Sequence, residues 1–292
     1  MFDFAWHGAA SISLRFGGSD GPVVAVDPVF SRAGDYGPWY SPNPKAPEFR
    51  EYLTEFPPDV VLITHGHFDH FDPETIKRIA VARPACRFGG SPEAIAVIRE
   101  LCGVPPERSV PLIAGLGYAL PGLTADPGET APLRLVPRAG EHWLTGEEGS
   151  RAAAKLAGRP DRYGVMPCGG PMLGMFIRFQ GAGSGSESVL IYVSGDNRLP
   201  ALPEGPVDVA VVNIAGRLHH PVTKEPTQEI PGPEDVGTVI DRLKPGLFIP
   251  VHWDHVIFIE PVDPEKIRVS AASARHPARV LCPPYNCWTP VG

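Results

Sequence analysis

The segment Thr64-His65-Gly66-His67-Phe68-Asp69-His70-Phe71-Asp72 packs three imidazoles and a carboxylate into six residues, 65–70. Imidazole nitrogen and carboxylate oxygen are the donors a first-row transition-metal ion prefers. A turn of this composition can aim His65 and His67 at one ion while Asp69 and His70 swing to a second. Two ions roughly 3.5–4 Å apart can share a water and bring its pKa to about 7, so a hydroxide nucleophile exists at neutral pH. One ion then polarises the attacked oxygen and the other stabilises the leaving group. Asp69 would both bind metal and hold the proton of the hydroxide in line for attack. Such chemistry needs no Ser-His-Asp or Cys-His arrangement, and Cys168, in a Gly-rich loop, is read as incidental.

A strand is expected directly before this segment, over residues 60–64, and a helix start directly after it, at Asp72-Pro73. Further β-rich runs fall at 11–16, 23–26, 133–136, 175–179, 189–193, 207–212 and 248–251. Several are unbroken Val/Ile/Leu runs, which suits strands covered on both faces. Ser91-Pro92 and Asp263-Pro264 repeat the pattern of an N-cap acceptor before a proline in the first helical turn, and Gly232-Pro233-Glu234-Asp235 is a weaker version. After it, Val236, Val239, Ile240 and Leu243 recur at helical spacing and predict a buried stripe. The chain therefore reads as one α/β domain over residues 1–292, with two β-rich halves. Residues 31–43, 145–171 and 218–231 read as loops over a site, the second with a short helix at 151–156. Loops of that length in a compact domain are usually functional.

Composition narrows the function. The chain has 292 residues, 43% of them hydrophobic and 20% charged, which is ordinary for a globular protein with a full core. Its 33 acids against 26 bases give a net charge of −7, without a Lys/Arg cluster, so nucleic acid is not the expected partner. Five widely spaced cysteines argue against a disulfide framework and for a reducing compartment. Cys282 and Cys287 lack the C-x2-C spacing of a structural zinc site. The N-terminus has no basic and apolar leader pattern, and residues 207–215, the longest apolar stretch, are too short to span a bilayer. The expectation is a cytoplasmic enzyme acting on a small molecule, with a homo-oligomer compatible with everything in the sequence.

The motif His65-x-His67-x-Asp69-His70 resembles the signature of the metallo-β-lactamase superfamily, and the resemblance extends over nearly the whole chain. That family needs a later His, a bridging Asp and a final His at strand ends, in that order. The chain offers His142 in Gly140-Glu141-His142-Trp143, Asp196 in Ser194-Gly195-Asp196, and His252 in Pro250-Val251-His252-Trp253. The resemblance implies that His65, His67 and His142 hold one metal, that Asp69, His70 and His252 hold the other, and that Asp196 bridges them. It also implies a four-layer αββα sandwich, two mixed β-sheets flanked by helices. Within the superfamily the chain looks most like the branch containing ascorbate-6-phosphate lactonases and N-acylphosphatidylethanolamine phospholipase D. The cues are the early Trp6-x-Gly8, Asp27-Pro28 after the second strand, Glu141-His142-Trp143 and the final Pro250-x-His252-Trp253. One departure stands out: that branch often reads Trp-x-Gly-His-Ala-Ser, and here Ala9 replaces the His. His7, two residues earlier, would share the face of position 9 in an extended segment, and so is either a substitute beside the ligands or space-filling. Asp27 is expected to orient a ligating His, as metal-bound imidazoles require, rather than merely to close an Asx-turn.

The expected activity is that of a dinuclear metal hydrolase cleaving an ester, lactone or related carbon–oxygen bond, with zinc or manganese expected ahead of iron. A phosphodiesterase would use the same two-metal clamp, and Arg198, Arg217 and Lys224 follow candidate site strands. An iron-dependent redox enzyme could use the same ligand frame, although flavodiiron-type proteins typically carry Glu where this chain has His67. Trp143, Arg198, His219 and His220 are candidates for the substrate side. His255, three residues past His252, is the candidate proton donor, because an imidazole of pKa about 6.5 suits proton delivery near neutral pH.

Overall fold

The computed structural model describes residues 1–32, 42–142, 169–181, 188–216, 218–219, 226–227, 230–254 and 261–292. The first sheet is built from β1 (Phe2–Trp6), β2 (Ile12–Phe16), β3 (Val23–Val26), β4 (Val60–Leu62), β5 (Arg87–Gly90) and β6 (Ser109–Pro111), with the last strand β17 (Thr289–Val291) joining its edge. Its order is β17-β1-β2-β3-β4-β5-β6, antiparallel up to β3 and parallel from β3 to β6. The second sheet contains β7 (Tyr118–Ala119), β8 (Thr124–Ala125), β9 (Leu133–Ala139), β10 (Leu173–Gln180), β11 (Ser188–Val193), β12 (Val209–Asn213), β15 (Leu247–Val251) and β16 (Arg279–Val280). Its order is β16-β15-β12-β11-β10-β9-β7-β8, with a parallel block from β11 to β16. A two-residue ribbon pairs β13 (Leu218–His219) with β14 (Pro226–Thr227).

Alternation explains the layers. In β4, Val60 and Leu62 point between the sheets with Phe4, Trp6, Leu14 and Val24, and meet Leu135, Met175, Ile177, Ile191, Val211 and Ile249 of the second sheet. Val61 and Ile63 point outward, under a layer that includes Tyr52, Ile76, Ile79, Ile95 and Ile98. These come from helices α1 (Phe49–Glu55), α2 (Pro73–Ala82) and α3 (Pro92–Cys102). On the other sheet Ala210, Val212 and Phe248 are covered by Val236, Val239, Ile240 and Leu243 of α4 (Val236–Leu243) and by Ile267 of α5 (Pro264–Ala271). The unbroken apolar runs are therefore strands buried on both faces. The result is the four-layer sandwich, helices–sheet–sheet–helices. Among the described residues no helix is long and apolar enough to cross a membrane.

The helix starts follow from local chemistry. Asp72 accepts from the backbone N–H groups of Glu74 and Thr75 at the head of α2, Ser91 accepts from Ala94 at α3, and Asp263 accepts from Glu265 at α5. The Gly232-Pro233 start opens as a 3-10 turn over Pro233–Asp235 before α4 begins. Asp72 does more than cap. Its carboxylate also accepts from the backbone of Phe30 and Ser31 and from the Ser31 and Thr75 hydroxyls, so it ties the chain after β3 to the helix after the His-rich turn. Helix α1 lacks a side-chain cap at Glu48, and β5 reads Arg-Phe-Gly-Gly; neither carries a sequence signal. In β5 glycine is a matter of clearance, since a Cβ on Gly89 would lie 3.1–3.2 Å from Leu62, Leu112 and Leu123. The expected helix at 151–156 lies outside the described residues.

Candidate metal centre

Four chain segments deliver the candidate ligands, each just past a strand. His65, His67, Asp69 and His70 follow β4, His142 follows β9, Asp196 follows β11 and His252 follows β15. The parallel register of β11, β12 and β15 sets Val193 beside Val211 and Asn213 beside Val251, so the Asp196 and His252 turns emerge on either side of the end of β12. Seven side chains thereby fall into two groups whose ligand atoms lie within 4.8 Å of one another: His65, His67, His142 and Asp196 in one, Asp69, His70 and His252 in the other.

In the first group the Nδ1 atom of His67 lies 2.9 Å from His65 Nε2 and 3.1 Å from His142 Nε2. Asp196 Oδ2 lies 3.8 Å from the former Nε2 and 3.6 Å from the latter. In the second group His70 Nε2 and His252 Nε2 are 3.1 Å apart, and Asp69 Oδ2 is 3.7 Å from His252 Nε2. Tetrahedral bonds of about 2.0–2.1 Å would separate neighbouring donors by roughly 3.3 Å, and the observed separations bracket that value. Asp196 touches both groups, with Oδ2 also 3.1 Å from His70 Nε2 and Oδ1 3.8 Å from His252 Nε2. Each neutral imidazole has one N–H and one lone pair, so nitrogens converging this closely match a cation better than they match each other. The arrangement could hold two ions.

Residues 3–122 match a family model described as a beta-lactamase superfamily domain. A metal-dependent hydrolase of Anaeromyxobacter sp. strain K is 26% identical over 96% of this chain and 84% of its own length. The isothiocyanate hydrolase from Delia radicum gut bacteria superposes with a TM-score of 0.64 at 16% identity, covering 99% of this chain and 98% of that one. Igni18, a metallo hydrolase from Ignicoccus hospitalis KIN4/I, gives 0.60 at 17% identity, over 99% and 97%. The chain has the metallo-β-lactamase fold, and residues 3–122 carry the match to the superfamily domain.

Within this metallo-β-lactamase fold the electrostatics follow from burial and close neighbours. Burial pushes His65 well below the usual imidazole range, with His70, His67 and His142 adding to the effect. Burial likewise pushes His142 well below that range and His67 down to about 4. His70 behaves differently. Burial opposes its protonation, but the Asp196 and Asp27 carboxylates on its two sides together hold it well above the usual value. Asp196, although buried, is held well below the usual carboxylate range by His70 and His252. His65, His67 and His142 thus face the ionised Asp196 in the protonation states a metal ion requires, whereas His70 would have to release its Nε2 proton on binding one.

Supporting contacts fix the rings of the candidate ligands. Asp27 Oδ2 lies 2.7 Å from His70 Nδ1, while the same carboxylate accepts from the Thr64 backbone N–H at 2.8 Å and hydroxyl at 2.6 Å. The Thr64 hydroxyl is also 3.0 Å from His65 Nδ1. Asn197 accepts from the Glu141 N–H and donates to the Ser194 carbonyl, which clamps the His142 turn to the Asp196 turn. A Cβ at Gly140 would run into that Asn197 amide. Gly169, at φ +75, supplies both room and an acceptor: a Cβ there would come within 2.9 Å of His67 Nε2, and its carbonyl accepts from Gly66 N–H at 2.7 Å. Asp27 and His252 take left-handed backbone conformations, at φ +48 and +66. Such geometry costs about 1–3 kcal/mol per residue and persists where the surroundings enforce it. For His252 the enforcement includes its N–H bond to the Ala9 carbonyl at 3.0 Å.

Of the two readings open for His7, the place beside the ligands needs an extended segment from 7 to 9, but β1 ends at Trp6, and Gly8 and Ala9 turn at φ +83 and +47. The ring instead enters the outer layer of the first sheet, edge-on to Phe30, Tyr52 and Phe56, with Nδ1 2.9 Å from Asn286 Oδ1 and Nε2 2.9 Å from Ser13 Oγ. It fills space there. The position it was meant to replace is served by backbone, since the Ala9 N–H donates to Asp254 Oδ1 and its carbonyl accepts from His252 and Trp6. Arg198 is exposed, two residues past Asp196. His219 lies in the short ribbon with β14. Trp143, Cys168, Arg217, His220, Lys224 and His255 lie outside the described residues. Asn213, Asn197 and Gly169 carry contacts in the centre that the sequence reading assigned no role. The available signal was a polar residue closing an apolar strand, as Thr64 does after 60–63 and Asn213 after 209–212.

Proposed function

We propose that the protein is a metal-dependent hydrolase whose seven ligands hold two divalent ions, zinc ahead of manganese or iron, and that it cleaves an ester, lactone or related carbon–oxygen bond in a small molecule. The observation that carries this reading is the position of Asp196, whose carboxylate lies 3.1–3.8 Å from imidazole nitrogens of both groups. Two divalent ions in this donor set would supply Lewis acidity and a water acidic enough to ionise near neutral pH.

The chain's own residues account for the remaining requirements. His70 is locked by Asp27, which commits its Nδ1 proton and leaves Nε2 facing the centre, where an ion would take the place of the second ring proton. Burial of His65, His67 and His142 excludes bulk water from the first group. Asp69, 12% exposed, is the most accessible of the carboxylates in the set. Its second oxygen can accept the nucleophile's proton and keep the attack aligned. His255 would return a proton to the leaving group. The similar proteins named as metal-dependent or metallo hydrolases support hydrolysis, and the one named for isothiocyanates favours attack on an electrophilic carbon.

The reading is tested by reconstituting the metal-free protein with Zn2+ or Mn2+ and assaying aryl esters, lactones and bis(p-nitrophenyl) phosphate. Metal-dependent turnover of esters or lactones is expected. Turnover confined to the phosphodiester would move the chemistry to phosphorus.

A further inference from the structure

Asn213 is the last residue of β12, the strand between those that lead to Asp196 and to His252. It is buried, 2% exposed, beneath the bridging position. Its backbone N–H donates to the Ser194 hydroxyl at 3.0 Å, the next residue's N–H donates to the Val251 carbonyl at 2.9 Å, and its side-chain Nδ2 reaches Asp196 Oδ1 at 2.7 Å. An ionised carboxylate only accepts hydrogen bonds, so the Asn213 amide must present its N–H rather than its oxygen. The two oxygens of Asp196 are thereby made unequal. Oδ1 is engaged by the amide, and its nearest recorded imidazole nitrogen is that of His252 at 3.8 Å. Oδ2 faces His70, His142 and His65 at 3.1, 3.6 and 3.8 Å, reaching both ligand groups by itself.

We infer that Asn213 is a positioning residue of the metal centre: its amide occupies Oδ1 of Asp196 and so turns Oδ2 toward both ions. This rests on the two-ion reading above. The physical reason is orientation. A carboxylate on two side-chain torsions can rotate, and the amide's 2.7 Å bond at Oδ1 opposes its swinging onto the second group alone. An amide at that oxygen also spreads some of the carboxylate's charge away from the ions, which tunes how tightly the pair is held. Outer hydrogen bonds of this kind typically set metal affinity within about 10- to 100-fold.

The test uses metal-free full-length protein titrated with Mn2+ under chelator competition, with EPR of the loaded protein to read magnetic coupling between the ions. Wild type should bind two equivalents and show the exchange-coupled signal. Asn213→Leu removes the donor at similar volume. It should keep the far-UV spectrum and cooperative melting of wild type, weaken Mn2+ binding by about 10- to 100-fold, and weaken or abolish the coupled signal. Asn213→Ala, which leaves room for a water to donate in place of the amide, should recover part of both. A crystal structure of the Mn2+-loaded wild type reads the same claim without substitution and stands even where both variants misfold. It should show Nδ2 on Oδ1, with Oδ2 shared. A well-folded Asn213→Leu with unchanged affinity and coupling overturns the inference, as does a loaded wild type with Asn213 turned away. Failure of wild type to take up two ions overturns the two-ion reading itself, and this inference with it.

Discussion

His7 and His67 share burial and a depressed pKa of about 4, yet they sit in opposite kinds of surroundings. Around His7 every polar neighbour complements the ring: the Asn286 carbonyl oxygen accepts from Nδ1–H, and the Ser13 hydroxyl can donate to Nε2. Three aromatic edges close the rest of the space. His67 Nδ1 instead lies against the nitrogens of His65 and His142, groups of its own kind, with the Asp69 and Asp196 carboxylates acting on the ring. Burial and pKa thus fail to separate a structural imidazole from a candidate ligand. The kind of neighbour separates them: nitrogens and carboxylates converge around His67 in a donor set that suits a cation, and around His7 they do not.

The comparison breaks most severely at Asp196. Asp196→Asn should weaken metal uptake at both groups together, while His142→Ala should mainly deplete the first. Activity should fall by roughly three orders of magnitude, since the Lewis acidity at stake amounts to several kcal/mol at about 1.4 kcal/mol per decade. Paired metal analysis and kinetics of the two variants check this, and identical metal loss in both would contradict the assignment. Asp69→Asn should follow in severity, with turnover lost more completely than metal, because an amide oxygen can still face an ion but cannot take a proton. A metal-replete Asp69→Asn enzyme at full rate would show the base to be elsewhere.

Milder effects sharpen the contrast. Asp27→Asn weakens the anchor of His70 and should cost about 10- to 100-fold in metal affinity with the fold retained; chelator competition reads it. His7→Gln should leave metal content unchanged and act only on stability. The folded-state pKa of His7 is lowered to about 4 from 6.5, so the unfolded chain binds the extra proton between those values. Stability is therefore full above pH 6.5 and declines as pH falls toward 4, by at most about 3 kcal/mol from this residue. Denaturant melts of the two proteins across that window should show a shallower acid decline in His7→Gln. An equal slope would remove His7 from the pH response.

Much of this centre was legible before any coordinates. His65-x-His67-x-Asp69-His70 sits in a strand-to-helix turn that Val60–Ile63 and Asp72-Pro73 announce on either side. His142, Asp196 and His252 needed the family resemblance, because a lone His or a Gly-Asp pair says little by itself. The surrounding contacts were harder to read. Asn213 and Asn197 act through pairings between strands far apart in sequence, and Gly169 matters through clearance, a property of what faces it. His7 stayed open between two readings because period-two logic holds only in extended backbone, and Gly8 and Ala9 leave that region. Helix α1 and strand β5 went unannounced for want of a cap in one and of β-formers in the other.

The most direct test of the central claim is metal stoichiometry. Metal-free protein dialysed against buffered Zn2+ and measured by elemental analysis should retain two ions per chain, and His67→Ala combined with His252→Ala should retain none, while His7→Gln retains both. Absence of stoichiometric metal in wild type, or retention unchanged by the His67 and His252 substitutions, would contradict the account.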